Sequence, residues 1–212
     1  MSTTARPPQR AAKRRAEILD AARRAFAEDG VLPVSTHQVA RAAGVSPGNL
    51  HYWFPTKAAL VRALFAQWLE SEAIAPADGS DDGILRALWD RAAEHSVDDG
   101  TYAFFRRDLL ALLHTDGELA AAYRENYTLR RDAFVAIAER LVAAGLLRRP
   151  DPPATVQDAV SLIFLASETA GPFADATADP LIDKRRYARL VLEPLLTDTG
   201  RRALGLAEAR PR

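Results

Sequence analysis

The 212-residue chain contains no cysteine. That absence excludes a disulfide framework, a thiolate nucleophile and a Cys-ligated zinc site. No stretch reaches the roughly 20 uninterrupted apolar residues that a membrane helix needs. The opening run MSTTARPPQRAAKRR has no apolar segment behind its charges, so it does not read as a secretory signal. A cytoplasmic protein with no membrane partner is expected. Strand signals are also missing: there is no sustained apolar/polar alternation and no Asn-Gly or Asp-Gly pair between β-branched runs. Net charge is zero, with 28 Lys+Arg against 28 Asp+Glu. Taken as a total, that balance argues against a nucleic-acid binder, which ordinarily carries a basic excess.

The zero is a cancellation. From Met1 to Lys57 there are nine basic residues and four acidic ones, a charge of +5, and the remainder carries −5. From Gly30 to Leu69 there is no Asp or Glu at all. Such asymmetry points to a nucleic-acid-facing end, with an acidic body that DNA would repel. Of the basic residues 25 are Arg, a bias that reads as codon usage and carries no functional weight.

What is present is helical throughout, and an all-α fold follows. At 48% apolar residues the chain has ample material for a core. A first helix is expected over Ala12 to Glu28, with Ile18, Leu19, Ala22, Ala25 and Phe26 on one face and Gly30 as its stop. Ser35 and Gln38 form a capping box for a short helix over Thr36 to Ala43, ended by Gly44. Ser46 caps a third helix with Pro47 in its first turn, and Pro55 stops it near Phe54. Thr56 caps a longer amphipathic helix to about Ile74. Beyond the loop Pro76 to Gly83, helices are expected over Ile84–His95, Tyr102–Thr115 and Glu118–Ala144. Two more follow, over Ala154–Ala170 and Leu181–Leu196, with Pro194 truncating or kinking the last. Four segments are expected: a disordered basic arm at 1–11, a DNA-binding domain at 12–57, a larger helical domain at 58–196, and a flexible polar tail at 197–212.

Two short helices joined by Gly44-Val45, in the acid-free part of the chain, describe a helix-turn-helix. A helix that enters the major groove needs small or polar groups at its N-terminus, where its dipole and free N–H groups face phosphate. Ser46, Pro47, Gly48 and Asn49 supply them. The run GVSPGNLHYWFPTKAALV (Gly44 to Val61) closely resembles the TetR family of transcriptional repressors, whose pattern is roughly G-V-S-x-G-x-L-Y-x-Y-F-x-x-K-x-x-L. Gly44, Val45, Ser46, Gly48, Leu50, Phe54, Lys57 and Leu60 match it outright. Upstream, VSTHQVARAAG is similar to the family's T-T-x-x-I-A-x-x-A-G segment. The resemblance is specific over about Ala12 to Leu64, and beyond that it lies in helix count and length.

The resemblance implies roles. Thr36 and His37 would contact phosphate. Ser46, Pro47, Gly48 and Asn49 would approach base edges or backbone at the start of the recognition helix. His51 and Tyr52 stand where the family has an aromatic pair touching phosphates and thymine methyls, and Lys57 would hold the backbone. Two departures bear on operator choice: His51 replaces a Tyr, and Trp53 stands where Tyr or His is typical. The plainer reading of HYWF is a packed aromatic cluster. It suits Leu50 and Phe54, which are expected in the core, whereas a helix this short cannot bury His51 and Tyr52 as well. Arg41 reads as a solvated surface charge.

For the larger half the resemblance implies a ligand-binding and dimerisation domain. Candidate pocket residues are Trp68, Trp89, Tyr102, Phe105, Leu109 and Leu112 with Tyr123, Tyr127 and Phe134, and the polar His95, Asp108 and Asn126. Cores and pockets share such linings, so each of these could equally be packing. The last two helices would form a four-helix bundle between subunits, with Val156, Val160, Ile163, Phe164, Tyr187, Leu190 and Val191 at the interface; alternatively these residues fill the monomer's own core. His95 and His114, with Glu94 or Asp108, have no metal-ligand spacing. No metal or cofactor is expected. An all-α hydrolase, the rival from another class, finds no Cys, no H-E-x-x-H and no phosphate-binding glycine loop. The function implied is a regulator that binds a near-palindromic double-stranded DNA operator as a homodimer and is released by a small apolar or amphipathic effector. A ligand-independent regulator with the same head is the alternative.

Overall fold

Capping residues place the first helices. In the computed structural model, which describes residues 8–71, 79–93, 102–179 and 181–206, α1 (Pro8–Asp29) is followed by α2 (Thr36–Ala42), α3 (Pro47–Trp53) and α4 (Lys57–Ser71). Next come α5 (Asp81–Ala93), α6 (Ala103–Thr115), α7 (Gly117–Ala143), α8 (Val156–Thr177) and α9 (Lys184–Leu192). A 3-10 turn (Glu193–Leu195) and α10 (Asp198–Ala203) close the described chain. No strand occurs among the described residues, only an isolated bridge between Leu147 and Leu196.

The helices divide into two compact units. The first holds α1 to α4, α6 and α7 as far as Ala120; the second holds α5, the rest of α7, and α8 to α10. In the first, Ile18, Leu19 and Phe26 of α1 are buried with Val31 and Val34 of the following turn, Val39 of α2 and Leu50 of α3. From α4 come Leu60, Leu64, Phe65 and Trp68, and from α6 Phe104, Phe105, Leu109 and Leu112. Phe105 stacks on Trp68 with centroids 5.5 Å apart, and Phe104 meets Phe26 edge-on at 5.7 Å. Each such side chain contributes roughly 1.5–3 kcal/mol by leaving water. In the second unit, Leu85 and Trp89 of α5 pack with Leu141, Leu146, Leu147, Leu192, Leu196 and Leu204. The first unit therefore extends beyond the Lys57 boundary read from sequence, because the large apolar residues of α4 and α6 are buried with α1.

Three stretches differ from expectation. The first helix includes Pro8 to Ala11, inside the segment expected as a disordered arm, so Arg10 is helical; Ala11-Ala12 favour helix. Residues 1–7 of that arm lie outside the described residues. The helix expected to stop at Ala170 runs through Pro172 to Thr177, since proline's fixed φ suits a helix and costs it one N–H bond. The tail expected to be loose from Thr197 forms α10 instead. Thr197 Oγ1 caps it by accepting Gly200 N–H at 3.0 Å, and Leu204 is buried; residues 207–212 lie outside the described residues. Pro194 truncates α9 as expected, turning the chain into a 3-10 segment.

Candidate nucleic-acid interface

Local chemistry builds the α2–α3 pair. Ser35 Oγ accepts Gln38 N–H at 3.2 Å while Ser35 N–H donates to Gln38 Oε1 at 2.8 Å, closing the expected box. At its other end α2 turns through Gly44, whose φ of +63° suits glycine, with Val45 N–H donating to Ala40 O at 3.0 Å. Ser46 Oγ then accepts Asn49 N–H at 3.2 Å, and Pro47 occupies the first turn of α3. Leu50 and Phe54 are buried, and the Arg15 guanidinium of α1 lies 5.2 Å from the centre of the Phe54 ring.

What α3 leaves outside is polar and aromatic. Ser46, Pro47, Gly48, His51 and Tyr52 are exposed, Tyr52 to 76%. His37 is exposed at the start of α2 and Thr36 beside it is half-buried. Trp53 is half-buried and meets Tyr52 edge-on with centroids 5.2 Å apart. Asn49 is half-buried as well, its Oδ1 enclosed by protein. An aromatic ring such as Tyr52 held in water on the outer face of α3 is suited to packing against sugar, phosphate and base. The five residues Gly44–Gly48 also spell G-x-S-x-G, the pattern of a nucleophile elbow. Here Ser46 follows a helix rather than a strand, and its hydroxyl is used to cap α3.

Lys57 starts α4 half-buried, and its Nζ donates to Leu32 O at 2.9 Å. Burial holds its pKa below the ordinary lysine value, opposed by the Asp108 carboxylate. An ammonium has three donors, so the bond to Leu32 is compatible with a phosphate contact.

The candidate pocket residues separate. Trp68, Phe105, Leu109 and Leu112 are buried in the first unit, and Tyr102 joins them, stacked on Phe105 at 6.3 Å. Asp108 also lies there, its Oδ2 accepting Val31 N–H at 2.7 Å. Trp89 belongs to the core of the second unit, with the Arg189 guanidinium over its ring. His95 lies outside the described residues, as does Glu94. Tyr123, Asn126, Tyr127 and Phe134 remain together on the second-unit stretch of α7. Tyr127 and Phe134 both meet Phe164 of α8 edge-on, at 5.7 and 5.3 Å. Two polar residues that sequence reading missed belong to this group: Glu168, which accepts from the Tyr123 hydroxyl, and Arg130, whose guanidinium lies 5.1 Å from the Phe164 centroid. Burial and Glu168 push the Tyr123 phenol well above its ordinary pKa. The signal for Glu168 was present, an acid within the apolar run of α8.

Of the expected interface residues, Val156, Val160 and Phe164 are buried within the chain itself. Ile163, Tyr187 and Val191 are half-buried and Leu190 is 59% exposed. The opposite face of α8 carries Leu162, Leu165 and Phe173, at 52%, 59% and 59% exposure. Among the described residues no helix is long and apolar enough to cross a membrane.

Comparison with known proteins places this geometry. The pattern of bacterial regulatory proteins of the tetR family matches residues 18–64, and that of a bacterial transcriptional repressor matches residues 100–204. The HTH-type transcriptional regulator UidR of Escherichia coli K12 is 29% identical over 192 residues, covering 89% of this chain and 91% of that one. A TetR-family regulator from Marinobacter aquaeolei VT8 superposes with a TM-score of 0.69 at 23% identity, over 90% of this chain and 95% of its own. NalD of Pseudomonas aeruginosa, the secondary repressor of the MexAB-OprM multidrug efflux pump, gives 0.52 at 25% identity, over 89% and 99%.

Proposed function

The chain belongs to the TetR family of bacterial transcriptional regulators, and from that premise we propose that it is a cytoplasmic, ligand-responsive repressor. It binds a near-palindromic operator as a homodimer and leaves it when a small apolar or amphipathic effector binds. The observation that carries the reading is the outward face of α3, which exposes Pro47, Gly48, His51 and Tyr52 on a stretch with no acidic residue from Gly30 to Leu69. Thr36, His37, Ser46, Pro47, Gly48, Asn49, His51, Trp53 and Lys57 supply the surrounding contacts. Two copies of α3 read successive major grooves, about 34–36 Å or a multiple of that apart.

The exposed leucines and phenylalanine of α8, with Leu190 of α9, support self-association, since a stripe of this kind on a lone subunit is an apolar surface without cover. The aromatic group of Tyr123, Tyr127, Phe134 and Phe164, with Asn126, Arg130 and Glu168 at its edges, has the composition of a small-molecule site. An effector acts by favouring the conformation whose α3 spacing no longer fits the grooves, to the extent of its differential affinity for the two states.

Footprinting on the DNA upstream of the protein's own gene and its neighbours tests the reading. A protected, near-palindromic site whose affinity falls steeply with salt is expected. Absence of protection at each of these promoters would overturn autoregulation and local control. A compound screen scored by release of that DNA separates a ligand-responsive repressor from a ligand-independent one.

A further inference from the structure

Helix α1 ends at Asp29, and the chain must turn from it into α2 within six residues, 30–35. The angle of that turn sets where α2, and α3 behind it, stand relative to α1. Three charged side chains from later helices fasten it. Asp108 of α6, its side chain only 15% exposed, accepts Val31 N–H at 2.7 Å. Its neighbour Arg107 donates to Phe26 O, 3.3 Å away at the C-terminal end of α1, where a cation meets the negative end of the helix dipole. Lys57 of α4 donates to Leu32 O at 2.9 Å. Gly30 makes room for the pair: its φ is +88°, and a β-carbon there would stand 2.7 Å from Arg107 Nη2 and 3.4 Å from Asp108 Oδ2. Val31 and Val34 flank these bonds and are buried, so the turn is held by polar bonds on one side and apolar packing on the other.

We propose that Asp108, with Arg107, is a positioning residue of the DNA-reading head: it grips the α1–α2 turn and holds α2 and α3 in the orientation that fits the major groove. The proposal rests on the operator-binding reading above and makes Asp108 part of the head rather than of an effector site. A carboxylate at this place is otherwise a liability. A negative charge in a DNA-binding unit repels phosphate, so its removal by electrostatics alone strengthens binding. The positioning role predicts the opposite sign.

The experiment uses the full-length protein and a duplex that the wild type selects from a random-sequence pool. Asp108→Ala weakens binding to that duplex on the order of tenfold or more, about the worth of one hydrogen bond to a charged group. The slope of log affinity against log salt stays at the wild-type value, because no phosphate contact is lost. Asp108→Asn, which keeps an oxygen acceptor for Val31 N–H, restores most of the affinity. Hydrogen exchange at the Val31 amide accelerates in the Ala variant and stays protected in the Asn variant. Unchanged or tighter binding by Asp108→Ala overturns the proposal, and so does an Asn variant no better than Ala. If the Ala variant does not fold, the Asn variant decides: folded with operator binding lost, it overturns the proposal; folded and binding with Val31 protected, it supports it. A wild type that selects no sequence overturns the operator reading and the proposal with it, an outcome distinct from all of these.

Discussion

A methyl group added at Gly200 would stand 2.2 Å from the carbonyl oxygen of Leu146, against backbone that cannot turn aside. The approach is close because Thr197 binds the same strand of chain, its N–H donating to Leu146 O at 3.1 Å and its hydroxyl to Gly145 O at 2.6 Å. Gly200→Ala is therefore expected to lower stability by about 1–3 kcal/mol, the usual cost of overfilling a packed site. Urea denaturation measures it, and a change within error of zero would show that α10 can lift away from Leu146 freely. Ala178 presents the converse case. It ends α8 in the left-handed region, φ +53°, where a β-carbon crowds the following carbonyl. Ala178→Gly relieves that strain and gains roughly 1 kcal/mol, less whatever the more flexible unfolded chain takes back. A thermal melt distinguishes this from the loss that glycine causes at an ordinary helical position.

At the level of elements, side-chain caps decide where helices begin, and Gly44 and Pro194 end α2 and α9. The caps at Ser35, Ser46 and Thr56 are legible because serine, threonine and glutamine act on backbone groups within three residues of themselves. The capping box of α8 is of the same kind: Thr155 Oγ1 and Asp158 exchange bonds reciprocally, and bonds from the Thr155 hydroxyl and N–H hold the Asp158 carboxyl below its ordinary pKa. That box stabilises the fold while pH exceeds the unfolded value of about 4 and is lost as pH falls through the lower folded value. Asp158→Ala is thus expected to lower the melting temperature at pH 7, with the difference from wild type shrinking toward pH 3; a constant difference across that range would remove Asp158 ionisation as its source. What was not legible depends on distance. The ordering of Thr197 to Leu204 and the inclusion of α6 in the first unit rest on partners far along the chain. The Asp108–Val31 bond spans 77 residues and the pairing of Phe26 with Phe104 a similar interval. A local reading therefore found α2 and α3, whose bonds are short-range, and did not find the Asp108–Val31 bond, which is not.

For the whole molecule the decisive feature is that α8 is apolar on opposite sides. Val156, Val160 and Phe164 repeat every fourth residue on the side buried within the subunit, and Phe164 receives Tyr127 and Phe134 there. Leu162, Leu165 and Phe173 recur at spacings of three and eight, which at 3.6 residues per turn returns to the opposite side. A helix that only closed its own subunit's core would be polar on that second side. Fully covering three such side chains against a partner contributes roughly 1.5–3 kcal/mol each, before the cost of association is subtracted. Leu165→Asp places a charge in the middle of the stripe without touching the buried side, so the fold is expected to survive and the dimer to dissociate. Sedimentation velocity should show a dimer for the wild type at micromolar concentration and a monomer for the variant, with circular dichroism unchanged. Operator affinity should fall with dimerisation, because one α3 reads only half of a near-palindrome. Phe164→Ala is the control from the other side of the helix: it opens a cavity beside Tyr127 and Phe134 and costs about 3–5 kcal/mol of subunit stability. A wild type that sediments as a monomer would overturn the homodimer, and a Leu165→Asp variant that remains dimeric and binds operator as before would move the subunit contact off this face of α8.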